Sequence, residues 1–600
     1  MTQTTLTQPS VNEETNVEIA YQVAMENPQH HFYQVTLRIT GWQRDRLDLK
    51  FPVWTPGSYL VREYAKNLQE FRVCDRLGKS LPYRKESKNH WHINTQSLSE
   101  IVVSYCIYAN ELTVRTSHLD RSHGYFNGAC LFFRVVGLEE NPIGVAISVP
   151  DRAWRISTAL PAVPGEEATF IANNFDRLVD SPFEIGTHQI YPFQALDKPH
   201  ELLVWGERGT GNLPVEQTIV DIRKIINVEA KMFGGLPYDR YLFLLHLTNK
   251  RGGLEHDDCC SLIFPQFGFR DRESYCGFMQ LVAHEFFHLW NVRRLRPIGL
   301  ESYDYDGENY TPSLWFCEGG TSYYDLLIPL RAGIYDASYF LGELGKEITR
   351  YQNTPGKDVQ PLNESSFDAW IKLYRSDANS ANTQMSYYLK GSLVCLMLDL
   401  MIRARHNNQR SLDNVMEQMW KTFGKNGIGY TPQQLQETIE SVADISLQEF
   451  WELTLNTTKD LPLNESLKPF GLQLKAQVKT STTCYLGLAA RNDRGSSWVK
   501  FVAAGSPAHQ AGIDPGDELL ALNGIRVTAE QLSDRLKDYR PGDEITLTLF
   551  RGDRLYEVAV TLAPPKPDRY TLVPTDNPSP SQQYNLEGWL GCSWNAAFGS

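Results

Sequence analysis

The stretch LVAHEFFHLWNV, residues 281–292, decides how this chain is read. Positions i and i+4 of a helix share a face, so His284 and His288 can both reach one ion. Glu285 lies about 100° round the helix, beside such an ion and not on it, where it can take a proton from water acidified by the metal. Leu281, Val282, Phe286, Phe287 and Leu289 make the surroundings apolar. That suits a core helix with hydrogen-bonded histidines, and it suits a buried metal site equally well. A hydrolytic zinc needs three protein ligands and an open position. Arg294 stands where the metzincin extension would place a third histidine. The next carboxylate in a helical context is Glu318, in SLWFCEGGTSYYD, directly after the apolar Leu314-Trp315-Phe316. An acid buried there is costly unless it is paired or coordinated. His284, His288 and Glu318 are therefore the expected ligands of one zinc per chain, and Glu285 the expected base. Asp304, Asp306 and Glu308 come sooner in the sequence and are next in line as ligands, but their Tyr/Asp/Gly-rich segment reads as a surface loop.

Outward from this stretch the texture changes twice. Residues 16 to about 205 carry short alternating or apolar runs (HFYQVTLRI, RLDLKFPVW, SEIVVSYCIYA, ACLFFRVV, IGVAISVP) punctuated by turn residues, the pattern of a β-sandwich-like domain. Helical spacing then takes over: Val215, Ile219, Ile222 and Ile226 recur before Gly234. A strand-like run, YLFLLHL (241–247), follows, and helices are expected near 277–293, 313–331, 385–404, 411–423, 432–443 and 446–455. Thr431-Pro432 reads as an N-cap with proline at the first helical position, and Thr311-Pro312 looks similar. Residues 456–470 are polar with prolines and read as a linker; 471–563 returns to short strands plus one helix. The tail from Ala563 is proline-rich and reads as lacking a core, with Trp589 and Leu590 free to dock elsewhere. The boundaries that follow are 1–205, 206–460, 471–563 and 564–600, in a multidomain α+β chain.

Composition narrows the function classes. Over 600 residues, 42% are hydrophobic and 22% charged, which is ordinary for a globular protein with several cores. The net charge of −13, without a Lys/Arg block, argues against nucleic acid or an anionic membrane as the main partner. MTQTTLTQPSVNEETN has neither a basic start nor an apolar core, so it does not read as a secretory signal. No run of 18 apolar residues predicts a transmembrane helix. Ten scattered cysteines form no CxxC, and Cys106 and Cys395 sit in apolar runs that suit buried free thiols, so a reducing, cytoplasmic compartment is expected.

HEFFHLWN followed by WFCEGGTSYY resembles the glycyl aminopeptidase family, thermolysin-like zinc peptidases that carry a PDZ domain. The blocks are also similar to the alanyl-aminopeptidase and leukotriene-hydrolase pattern of HExxH followed by W-x-N-E-G. There the spacing to the glutamate is shorter, by an insertion spanning 296–310 here, and Cys317 replaces the usual Asn. The resemblance implies a thermolysin-like, mainly α catalytic domain between the β domain and the PDZ domain. It further implies that Gly252-Gly253-Leu254-Glu255 matches an exopeptidase loop whose glutamate binds the substrate's α-amino group. Tyr388, in SYYLKG, matches a tyrosine that stabilises the oxyanion, with Tyr387 next to it as the other register. Leu486-Gly487-Leu488, after Tyr485, resembles the carboxylate-binding loop of PDZ domains, and GSPAHQAGIDPGDELLALNG (505–524) the bacterial-type PDZ block. Peptide substrates and peptide C-termini are the implied partners. The implied activity is removal of N-terminal residues, Gly or Ala by the family's name. A zinc endopeptidase of the same fold and an inactive PDZ-based peptide-binding protein remain as alternatives. A PDZ-bearing serine protease does not, because no G-x-S-x-G nucleophile occurs.

Overall fold

The computed structural model describes residues 17–206, 212–478 and 484–598. The polar N-terminal stretch read above, residues 1–16, lies outside them. The chain divides into two compact units: one comprises residues 1–213, 238–268 and 304–308, the other 214–237, 269–303 and 309–600.

The first unit is β-rich. A six-stranded sheet runs in the order Thr169–Ala172, Ile143–Ser148, Glu18–Ala24, Phe32–Thr40, Glu100–Tyr108, Leu68–Asp75. Its inner strands alternate buried and open positions, as in Phe32–Thr40 and Glu100–Tyr108, because side chains leave a strand on alternate faces. A five-stranded sheet behaves differently. Lys198–Gly206, Tyr241–Thr248 and Cys259–Pro265 lie side by side in parallel, and Tyr241–Leu247 is buried throughout. Continuous burial is the mark of a parallel strand covered on both faces, and it accounts for the apolar run YLFLLHL. Gly252–Glu255 closes that sheet, antiparallel to Cys259–Pro265. A separate four-stranded sheet holds Arg155–Thr158, Phe183–Gly186, His123–Phe126 and Ser117–Leu119. Asp306, expected on a surface loop, is instead half-buried and held by Lys50 at 2.6 Å, Arg134 at 2.8 Å and Asn89 at 2.9 Å. Those three donors explain a carboxyl held below its usual range despite the burial that opposes ionisation.

The second unit is built on helices α1 (Val215–Phe233), α2 (Arg272–Phe287), α3 (Leu314–Arg331), α4 (Ala337–Gln352) and α5 (Tyr387–Arg405). Gly234 ends α1 in the left-handed conformation (φ 79°) that glycine adopts freely. Asp271 caps α2 by accepting from Ser274 N. Thr431 forms the expected N-cap, within a capping box shared with Gln434, but Thr311 caps nothing: its hydroxyl accepts from Ser313 N, and Ser313 is the N-cap of α3. α3 and α5 touch through bare glycines. A Cβ on Gly319 would stand 2.6 Å from Gly391 Cα, and one on Gly391 would stand 2.5 Å from Trp315 O. The glycines of CEGG and YLKG are thus demanded by close helix packing. The segment around α5 is long and apolar enough for a membrane span by composition, but it is 83% buried and carries the buried pair Asp399–Arg403 (2.9 Å), which makes it a core helix.

The C-terminal region contains the PDZ sheet, ordered Leu488–Asp493, Ser496–Val502, Glu518–Leu522, Glu544–Arg551, Arg554–Thr561, around a core that includes Leu486, Val499, Ile513, Leu547 and Val560. Both segments expected to lack structure are ordered. In the stretch read as a linker, Leu461, Leu463, Leu467 and Phe470 are buried. In the proline-rich tail, Arg569–Pro574 pairs with Leu472–Gln477, and Pro580 opens a helix, Pro580–Leu590, capped by Ser579. That helix drives Trp589 into the helical core, where its indole donates to Tyr323 Oη at 3.1 Å. The cysteines are free thiols; Cys395 is buried as expected, whereas Cys106 is only half-buried.

Candidate active site

The last turn of α2 carries His284, and His288 caps its end. Their ring centroids are 4.6 Å apart. Each ring is held from behind: His284 Nδ1 meets Asp325 Oδ2 at 2.8 Å, and His288 Nδ1 meets the Asn291 carbonyl at 2.7 Å. Both Nε2 atoms therefore face Glu318 Oε2, at 3.6 Å from His284 and 3.2 Å from His288. Glu318 is 2% exposed, one turn into α3. Asn291 fixes the two helices to each other, its amide donating to the carbonyls of Phe316 and Cys317 at 3.0 Å each.

This donor set fits zinc. Two donors about 2.0–2.1 Å from a tetrahedral ion stand roughly 3.3 Å apart, which matches the separations from Glu318 to the two imidazoles. With each Nδ1 engaged from behind, each Nε2 is the nitrogen turned towards Glu318 and able to present a lone pair to an ion. Burial opposes ionisation of Glu318, but the two imidazoles hold its carboxyl down at about 2. Burial would also lower the His284 value; the carboxylates of Asp325 and Glu318 reverse this and raise it well above the usual histidine range.

Glu285 is buried, 5% exposed. The Tyr388 ring stacks on His284 with centroids 6.3 Å apart, and its hydroxyl is 2.9 Å from Tyr374 Oη. Burial and the nearby Glu318 charge hold that hydroxyl protonated. Tyr387 is wholly buried, its hydroxyl 3.1 Å from the same Tyr374. Of the two registers, Tyr388 is thus the one whose ring meets His284.

In the β-rich unit, Glu255 ends the strand Gly252–Glu255 and is 3% exposed, yet its Oε1 has no hydrogen-bond partner. Gly57 (φ 81°) lies directly over it: a Cβ there would come within 2.4 Å of Oε1. Gly253 O accepts from the Arg115 guanidinium at 2.9 Å, which braces the strand. Gly252 keeps ordinary room around it. The PDZ loop borders a cleft of about 430 Å³ lined by Leu486, Gly487, Leu488, Phe501 and Leu532. Gly487 (φ 82°) is left-handed, and a Cβ on it would strike Ser506.

Asp325 orients His284; the sequence offers it and Ser322 as candidates for that role without deciding between them. Two participants were not foreseen from sequence. Gly57 shapes the surroundings of Glu255. Glu229, on α1, is fully buried with neither carboxyl oxygen partnered; burial pushes its pKa well up, against the pull of His284, and so keeps it neutral. Its signal was visible, since it continues the Ile222/Ile226 stripe of α1 at positions where an apolar residue is expected.

Family models match in three places: the peptidase M61 N-terminal domain over residues 20–187, the M61 glycyl aminopeptidase over 277–394, and a PDZ domain over 484–562. The crystal structure of an aminopeptidase N family protein from Idiomarina loihiensis is 31% identical and superposes with a TM-score of 0.89, over 95% of this chain and 100% of that one. An M1 zinc metallopeptidase from Deinococcus radiodurans is a remote likeness at 13% identity and a TM-score of 0.45, over 74% of this chain and 94% of the other. No curated protein matches. The chain is a peptidase and belongs to the M61 glycyl aminopeptidase family.

Proposed function

We propose that the chain is a zinc-dependent aminopeptidase that removes N-terminal residues, Gly or Ala among them, from peptides. His284, His288 and Glu318 would hold one zinc ion, which when bound supplies a Lewis acid for the scissile carbonyl and lowers the pKa of water. Glu285 takes the proton from the attacking water at its carboxylate and passes it to the leaving amine. The Tyr388 hydroxyl, kept protonated, donates to the oxyanion as the tetrahedral intermediate forms. Gly252 and Gly253 line the peptide's path as bare backbone, and Glu255 pairs with the substrate's α-ammonium. Leu486, Gly487 and Leu488 would receive a peptide C-terminus by strand addition. A cytoplasmic location fits the ten free thiols.

The observation that carries the exopeptidase reading is the buried, unpartnered Oε1 of Glu255. A desolvated carboxylate recovers its lost hydration only when a cation pairs with it, and the free N-terminus of a peptide is such a cation. A blocked amide leaves the charge unpaired, at a cost of roughly a hundredfold or more in kcat/KM. The test is a paired assay of a free and an N-acetylated glycyl or alanyl peptide, with products identified by mass. Single-residue release from the free peptide alone is expected. Internal cleavage of the acetylated peptide at a comparable rate would replace the aminopeptidase with the endopeptidase.

A further inference from the structure

A second histidine–carboxylate cluster lies within the β-rich unit, in the sequence regions 123, 184–188 and 246. Glu184 is buried, and three imidazoles face its carboxylate. His246 Nε2 is 2.7 Å from Oε2, His123 Nε2 is 3.8 Å from Oε1, and His188 Nδ1 is 3.9 Å from Oε1. All four side chains are at most 2% exposed. Ligand atoms of His123, Glu184 and His246 stand within 4.8 Å of one another. Much of this cluster's bonding capacity is idle. Neither ring nitrogen of His123 has a hydrogen-bond partner, and His246 Nδ1, His188 Nδ1 and Glu184 Oε1 have none either. Buried polar atoms left in this state cost free energy and call for a partner.

We propose that His123, Glu184 and His246 form a structural site for a divalent transition cation of the zinc class, with His188 as the fourth side chain around Glu184. Imidazole nitrogens and a carboxylate oxygen are the donors such cations take. Donors on a tetrahedral ion stand roughly 3.3 Å apart; Glu184 Oε2 lies 2.7 Å from His246 and its Oε1 3.8 Å from His123, and one ligand atom of each residue lies within 4.8 Å of the others. The charges suit it too. Three imidazoles stand around the buried Glu184 carboxylate, whose charge a cation would neutralise. The chain leaves room for the rings: Gly186 lies opposite His123 in the ladder, and a Cβ there would stand 2.7 Å from His123 Cβ.

The site is sealed, which makes it structural. His123 stacks on Trp205 at 3.7 Å, and beyond that pair lies a cleft of about 580 Å³ bordered by His118, Asp120 and Trp205, the route by which an ion could enter. His123 and Glu184 sit on neighbouring strands of the four-stranded sheet, and His246 sits on a central strand of the five-stranded one. An ion among them ties the two sheets together, and its binding free energy adds to folding.

The decisive preparation is the full-length His288→Ala/Glu318→Ala variant, stripped of metal and reloaded with Co2+. One Co2+ per chain is expected after desalting, with a chelator lowering the melting temperature, whereas the wild-type protein takes up two. Anomalous scattering from a crystal of this cobalt-loaded variant should place the ion between His123 and His246, with no substitution in the β-rich unit required. Adding Glu184→Gln should abolish the uptake while far-UV circular dichroism shows a folded chain. No retained cobalt, or an ion located away from Glu184, overturns the site.

Discussion

Two clusters in this molecule are made of the same parts, two histidines and one glutamate, and they differ in what stands behind the imidazoles. In the helical unit each Nδ1 is bound, by Asp325 and by the Asn291 carbonyl, so both Nε2 atoms point one way. His284 keeps 14% of its side chain open to solvent. In the β-rich unit the three rings have almost no second layer, and the cluster is closed. An outer layer of acceptors fixes tautomer and orientation, which chemistry on a substrate needs. A closed pocket with idle nitrogens can only hold something in place. In the reading proposed above, the same residue types serve turnover in one unit and cohesion in the other, according to what surrounds them.

The largest effect that would sharpen this comparison is at Glu285. Glu285→Gln keeps size and fold but cannot accept a proton, so turnover should fall by about 10²- to 10⁴-fold while metal content stays unchanged. Inductively coupled plasma analysis beside a peptidase assay checks both. Retained activity would remove the proton-transfer role. Next comes Tyr388→Phe, which should lower kcat by about 10²- to 10³-fold with little change in KM, the mark of an interaction made in the transition state. Tyr387→Phe, whose hydroxyl is buried beside Tyr374, should leave kcat nearly intact. The reverse result would move the oxyanion role by one residue.

The two clusters were not equally legible. HEFFH announces itself because both ligands share one helical face, and Glu318 because an acid after Leu314-Trp315-Phe316 demands a partner. Asp325 closes the stretch SLWFCEGGTSYYD, but only the crossing of α2 and α3 shows that it meets His284. The β cluster draws on residues 123, 184 and 246, which strand pairing in one sheet and the approach of a second sheet bring together. Its one hint was His246, a polar residue inside the fully buried run YLFLLHL. The α+β division, the β-rich N-terminal part and the PDZ module followed from periodicity and blocks of motif. The tail did not, because its prolines suggested absence of structure; Pro580 instead occupies the first turn of a helix, where its missing N–H costs nothing.

The smallest effect tests the comparison at its root, the presence or absence of a second layer. Asp325→Asn keeps an acceptor for His284 Nδ1 but removes the negative charge that makes the ring a stronger donor. Outer-layer partners of this kind are typically worth 10–100-fold in metal affinity, and since the acceptor survives, the loss should lie near the lower end, about tenfold. The measurement is competition with a chelator, followed as zinc released per chain. Release should begin at about a tenth of the chelator activity needed for the unsubstituted protein, and the ion held by His123, Glu184 and His246 should be unaffected because Asp325 is no part of that cluster. If both ions left together, the two clusters would be coupled, and the contrast drawn from their surroundings would fail. If neither became looser, the Asp325 charge would matter only for aiming the ring, and the Asn291 carbonyl behind His288 would show that a neutral acceptor is enough.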